Sequence, residues 1–160
     1  MTSDIPQRET APPTRTPADE PVLAAYPLRA VDKLRYADTD RQGHINNTVF
    51  CSALETGRVE LLYETAAPLA EPGASFVIAR LELDFRAEMT WPGEVTIGTA
   101  TGPIGRSSFE LRQALFQGAR CVGVARSIIV QVDQQTGSAR PLPLTCVERL
   151  RALQLGDIRP

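Results

Sequence analysis

From Phe76 to Val132 the chain keeps returning to a period of two, and that pattern restricts its fold more than any other feature. In "FVIARLELDFR", Leu81, Leu83 and Phe85 interleave with Arg80, Glu82, Asp84 and Arg86. Such alternation places apolar and polar side chains on opposite faces of a pleated strand. "EVTIGTAT" follows a "WPG" break, and "SSFELRQALFQ" follows "GPIGR". "RCVGVARSIIVQV" is longer, with Val122, Val124, Ile128, Val130 and Val132 sharing a face. Short glycine-containing links such as "FQGAR" suit antiparallel hairpins.

One long segment breaks the pattern. In "NTVFCSALETGRVELLYETAA", Phe50, Leu54, Gly57 and Leu61 recur at helical spacing. Asn46 or Asn47 is a good N-cap, because its side-chain oxygen can accept an amide of the first turn. Pro68 and "EPGA" end the helix. Gly57 in mid-helix costs about 1 kcal/mol relative to alanine, which points to close approach of a neighbouring backbone or ligand.

With a first strand at Arg29 to Tyr36, the order is strand, helix, four strands; "PLPLTCVERLRAL" adds a short C-terminal helix. The expectation is an α+β domain, one long central helix packed on an antiparallel sheet of about five strands. A single-layer sheet of this kind hides its other face or an edge by pairing with a second copy. A homodimer, or a homotetramer built from dimers, is therefore expected.

The chain has 160 residues, which suits one domain with a substantial core. "MTSDIPQRETAPPTRTPADEP" is rich in Pro, Thr and charge, so residues 1–27 read as a disordered tail and 28–160 as the folded domain. A net charge of −2 gives no broad grip on nucleic acid or anionic membrane. No apolar run approaches the roughly 18 residues needed to span a bilayer, and the N-terminus lacks a signal-peptide layout. Cys51, Cys121 and Cys146 are widely spaced and odd in number, which argues against a disulfide framework or structural zinc and for the cytoplasm. Cys51 reads as a small core residue. The cations are nearly all arginine, whose planar fork suits phosphate and carboxylate groups.

Chemistry concentrates in "DTDRQGHINN", which carries the chain's one histidine. No Gly-x-Ser-x-Gly elbow, Gly-x-x-x-x-Gly-Lys loop or Gly-x-Gly-x-x-Gly is present. A metal site would need one histidine and scattered carboxylates, so no metal is expected. What remains is Asp40 in a strand-to-helix loop, His44 four residues later, and the unpaired amides near Asn47 and Thr48. A carboxylate that directs water, or attacks, beside amides that hold an oxyanion suits chemistry on an activated carbonyl. Gly43 permits a tight turn and close backbone approach to a substrate. The same residues also make an ordinary polar turn that caps a helix, and residue types alone leave both readings open. Asp38 reads as structural.

"RYADTDRQGHINNTVFCSALETGRVELL" resembles the signature region of hotdog-fold acyl-CoA thioesterases of the 4-hydroxybenzoyl-CoA thioesterase-like family. "D-x-D-x-x-x-H-I-N-N" is also similar to plant acyl-carrier-protein thioesterases, and the likeness runs from about Leu28 to Leu150. The resemblance implies a thioesterase without metal or tightly bound cofactor, coenzyme A being part of the substrate. It makes Asp40 the catalytic carboxylate, Asn47 the residue whose backbone N–H polarises the thioester carbonyl, and His44 the histidine that the plant enzymes use. Gln42 stands where the plant pattern has Asn; Gln42, Gly43 and Glu55 are taken as substrate-side residues. Glu55 and Arg58 match a recurring "E-x-x-R" on the helix.

Two other functions fit parts of the pattern. Hotdog hydratases and dehydratases resemble Asp-x-Asn-Pro-x-His, which the Asp40–His44 spacing of four does not match. A non-catalytic acyl-CoA-binding sensor or scaffold would use the same pocket. Arg80, Arg86, Arg106, Arg120 and Arg126 are all candidates for coenzyme A phosphates, and the sequence does not rank them.

Overall fold

A computed structural model describes residues 20–63 and 69–155. It contains β1 (Leu28–Lys33), α1 (Asn47–Tyr63), β2 (Ala74–Phe85), β3 (Glu94–Ile104), β4 (Ser108–Gln117), β5 (Arg120–Asp133) and α2 (Leu144–Arg151). The five strands form one sheet in the order β1-β3-β4-β5-β2, and every neighbouring pair is antiparallel. The expected α+β architecture is the one observed. Residues 1–19 of the expected tail, and Pro68 as a helix stop, lie outside the described residues. Within that expected tail, Leu23–Ala25 form a 3-10 turn and Tyr26 is buried against the sheet.

The first strand ends earlier than the Tyr36 expected from the sequence. Asp38 is the cause: its carboxylate accepts the Arg35 amide at 2.8 Å and the Arg35 guanidinium at 2.8 and 3.1 Å. These bonds curl Tyr36–Asp38 into a 3-10 turn. The chain is thereby bent out of the sheet, directly ahead of the Asp40 loop.

Helix α1 packs across β1, β3 and β4. Phe50, Leu54, Gly57 and Leu61 are all buried, as their spacing required. Full burial of a side chain of Leu or Phe size stabilises by about 1.5–3 kcal/mol. Gly57 is where helix and sheet come closest. A Cβ added there would lie 2.7 Å from Ile97 Cγ2 and 2.9 Å from Thr99 Oγ1. Beside it, the buried Gln113 side chain donates to Leu54 O at 3.0 Å and to Thr99 Oγ1 at 3.1 Å. A polar clamp thus ties the helix backbone to two strands at the point that glycine opens.

The valines and isoleucine of β5 behave differently from the single shared face that their spacing indicates. A register shift between Leu115 and Phe116 pairs them with Gly123 and Cys121, so Val122 is an inserted residue. Val122 turns into the core under α1, whereas Val124, Ile128, Val130 and Val132 are only partly covered. Beyond the bulge, the buried residues of β5 are Ala125, Ser127, Ile129 and Gln131. One extra residue in a strand exchanges its two faces, which a period count cannot register.

A candidate active site at the start of the long helix

The loop between the Tyr36–Asp38 turn and α1 is a short closed ribbon. Asp40 N donates to His44 O at 2.7 Å, Gly43 N donates to Asp40 O at 3.1 Å, and Thr39 bridges Ile45. Gly43 sits at φ +84°, a left-handed conformation that glycine adopts without penalty. The ribbon is stitched to the β2–β3 connection: Ile45 N donates to Met89 O at 2.9 Å, and His44 bridges Thr90.

Asp40 is fixed by its own loop. One carboxylate oxygen, Oδ1, accepts Gln42 N at 2.7 Å and His44 N at 3.1 Å. The other oxygen, Oδ2, has no partner among the described residues. The carboxylate is therefore anchored through one oxygen, and the other is left without a hydrogen bond among the described residues.

Asn46 caps α1. Its Oδ1 accepts Thr48 N and Thr48 Oγ1, each at 3.0 Å. Of the two expected capping residues it is the one used, and Asn47 becomes the first helical residue. The Asn47 amide belongs to the orphan donors of a helix start, at the positive end of the helix dipole. It has no acceptor among the described residues.

Asp40, Gln42, His44 and Asn47 share the rim of an open cleft of about 550 Å³. Its apolar floor comes from Phe50 and Phe85, which stack edge-to-face at 5.0 Å, and from Ile45 and Ala87. His44 Nε2 lies 3.4 Å from Glu88 Oε2, and its ring makes no hydrogen bond to Asp40. Arg120 Nη2 donates to Glu88 O at 3.1 Å and holds that wall in place.

Not every expected residue converges here. Gly43 shapes the turn without lining the cleft. Glu55 is exposed on α1 and stands apart from the cleft. Arg58 is partly buried, with Nη1 enclosed and unpaired among the described residues; burial draws its pKa down against the opposing pull of Glu55. Cys51, expected in the core, is exposed. It falls on the helix flank that the sheet does not cover. Asp38 is structural, as expected, and its hydrogen bonds from Arg35 hold its carboxyl below the usual range.

Glu88 and the cleft-lining role of Phe85 escape a sequence reading. Phe85 ends an alternating strand like any core residue, and Glu88 follows it in an unpatterned link. Both reach the site only because β2 lies at the sheet edge beside the helix start. Among the described residues, no group of three or more His, Cys, Asp and Glu side chains is placed to hold a metal ion.

Residues 34–152 match the family model of the thioesterase-like superfamily. No curated protein matches the chain in sequence. Among solved structures, a thioesterase from Thermus thermophilus, complexed with coenzyme A and Zn, is 31% identical with a TM-score of 0.69. That match covers 85% of this chain and 98% of the Thermus chain. A predicted thioesterase from Bacillus stearothermophilus is 29% identical with a TM-score of 0.73, covering 80% and 96% of the two chains. A protein of Pseudomonas aeruginosa shares the fold at a TM-score of 0.75 and 22% identity, over 84% and 96% of the chains.

Proposed function

Because this chain belongs to the thioesterase-like superfamily, we propose that it hydrolyses an acyl-CoA thioester to the free acid and coenzyme A, with Asp40 as general base. The observation that carries this reading is the pairing, on one cleft, of an oriented Asp40 with an open Asn47 amide. The thermophilic structure with bound coenzyme A supports the substrate class.

In the proposed reaction the thioester oxygen accepts the Asn47 N–H at the helix N-terminus. A water beside Asp40 Oδ2 attacks the carbonyl carbon and gives its proton to the carboxylate. The new C–O bond forms as charge collects on the oxygen facing the helix. Collapse breaks the C–S bond, and the proton passes to the departing thiolate. A positioned base typically contributes roughly 10²–10⁴-fold, and one oxyanion donor roughly 10²–10³-fold. His44, turned toward Glu88, positions the loop and does not share the proton. An acyl-carrier-protein thioester carries the same reacting group and is the second substrate to be tried.

We also infer a homo-oligomer. Strands β1 and β2 are the sheet's edges, and on β2 Ile78 and Phe85 expose apolar surface. Pairing with a second copy would cover both.

The deciding experiment is release of free thiol from acyl-CoAs with short, long and aromatic acyl groups, with Asp40→Asn in parallel. Turnover by wild type that falls at least a hundredfold in the mutant supports the reading. Binding without release from any acyl-CoA or acyl-carrier-protein substrate replaces it with a sensor.

A further inference from the structure

On the side of the sheet away from α1, a second cleft of about 660 Å³ is bordered by Arg86, Arg112 and Arg126. Arg86 also borders the Asp40 cleft, so the two depressions meet at that side chain. Its Nε is buried without a partner among the described residues, and its Nη2 reaches Asp84 at only 3.4 Å. Arg126 faces Arg112 across the β4–β5 pair and Glu82 across the β2–β5 pair. Arg112 is bonded to Glu110 at 2.7 Å, whereas the Arg126 side chain has no hydrogen bond or ion pair among the described residues. Directly opposed like charges on adjacent strands are destabilising. A bound anion would relieve that cost, although Glu82 and Asp84 on the same rim offset part of the charge.

We propose that Arg126 and Arg112, reached past Arg86, bind the phosphates of the 3′-phospho-ADP end of coenzyme A. This rests on the thioesterase reading for the identity of the ligand. Arg86 and the residue opposite Arg126, Glu82, are four positions apart on one strand axis, roughly 13 Å at the usual rise, and adjacent strands add about 5 Å. An extended pantetheine arm, with two amide units and a two-carbon thiol end, spans on the order of 15 Å by ordinary bond lengths. A pantetheine arm that passes Arg86, the side chain common to both clefts, therefore spans the distance from there to the arginine pair. Two forked guanidinium groups suit phosphate oxygens. Pro21, Val124 and Leu155 supply apolar surface beside them for the adenine ring.

The remaining arginines are placed elsewhere. Arg80 is bonded to Glu82, and Arg120 holds Glu88 O. Arg106 precedes β4 at the opposite end of the sheet from Phe85. An acyl carrier protein presents one phosphodiester and no 3′-phospho-ADP, so the arginine pair favours coenzyme A esters.

The test is calorimetric binding of coenzyme A, 3′-dephospho-coenzyme A and pantetheine to wild type, Arg126→Gln, Arg112→Gln and Arg106→Gln. The first two substitutions should each weaken coenzyme A about tenfold, the worth of one charge-assisted contact. They should leave pantetheine within twofold, and Arg106→Gln should leave all three ligands within twofold. Equal losses for pantetheine would mean a general structural defect and would overturn the assignment. Unchanged coenzyme A binding, or none even in wild type, would also overturn it. Binding is read without turnover, so a protein that binds in this way yet hydrolyses nothing would refute only the catalytic reading.

Discussion

Asp40 and His44 are joined through the main chain, not ring to carboxylate. Asp40 N donates to His44 O at 2.7 Å, His44 N returns a bond to Asp40 Oδ1 at 3.1 Å, and the imidazole turns to Glu88. On the proposed reading, His44 therefore acts on the loop and Asp40 on the substrate. His44→Ala and Glu88→Gln should each reduce kcat by about tenfold or less, well short of the roughly 10²–10⁴-fold typical of a lost general base. Steady-state rates for these two and Asp40→Asn decide it. A His44→Ala loss equal to that of Asp40→Asn would make the histidine a proton carrier.

Gly57→Ala should destabilise the protein even though alanine is the better helix former. The intrinsic gain is about 1 kcal/mol, while overpacking a filled core costs about 1–3 kcal/mol. The new methyl would meet Ile97, Thr99 and the Gln113 amide within 3.0 Å. Denaturant melts of the two proteins should show a lower midpoint with unchanged slope. A higher midpoint would mean that the clamp yields freely.

The Arg35–Asp38 contact makes a signed prediction with pH. Asp38 has a depressed folded-state pKa because Arg35 donates to it through side chain and backbone. Its stabilisation is fully present above the ordinary carboxylate pKa of about 3.9 and is lost as pH falls through the lower folded-state value. Asp38→Asn should thus melt below wild type at neutral pH, with the gap closing in strong acid. A constant gap across that range would mean that the carboxylate's charge is irrelevant.

The cysteines should separate by exposure. Cys51 is exposed, whereas Cys146 is buried, and burial pushes its thiol up to about 11. Thiolate is the reactive form, so a maleimide in mildly alkaline buffer should label Cys51 first and leave Cys146 until the protein unfolds. Mass mapping of labelled peptides reads the order directly. Rapid labelling of Cys146 in the native state would show that α2 opens.

Much of this architecture is visible in residue order alone. Period two locates the strands, and one run of helical spacing locates α1 with its buried Phe50, Leu54, Gly57 and Leu61. The loop carrying Asp40, His44 and Asn47 stands out because a carboxylate, a histidine and a helix start fall within ten residues. Strand partners are a different kind of information. The inserted Val122 exchanges faces that alternation assigns, and only sheet order brings Phe85 and Glu88 to the loop. Glu55 illustrates the reverse case, since matching a helical motif does not fix which flank of the helix faces the cleft.

The double stitching of the loop to the link after β2, through Ile45 to Met89 and His44 to Thr90, has an evolutionary consequence. Main-chain bonds carry that join, so it persists through most side-chain replacements. Phe85 can vary in size on the apolar lining of the cleft while Asp40 and the Asn47 amide keep their spacing. On the proposed reading, selectivity for the acyl group and the power to cleave its bond are therefore separable traits in this protein. A lineage could retune the first by single substitutions on one edge strand and leave the second untouched.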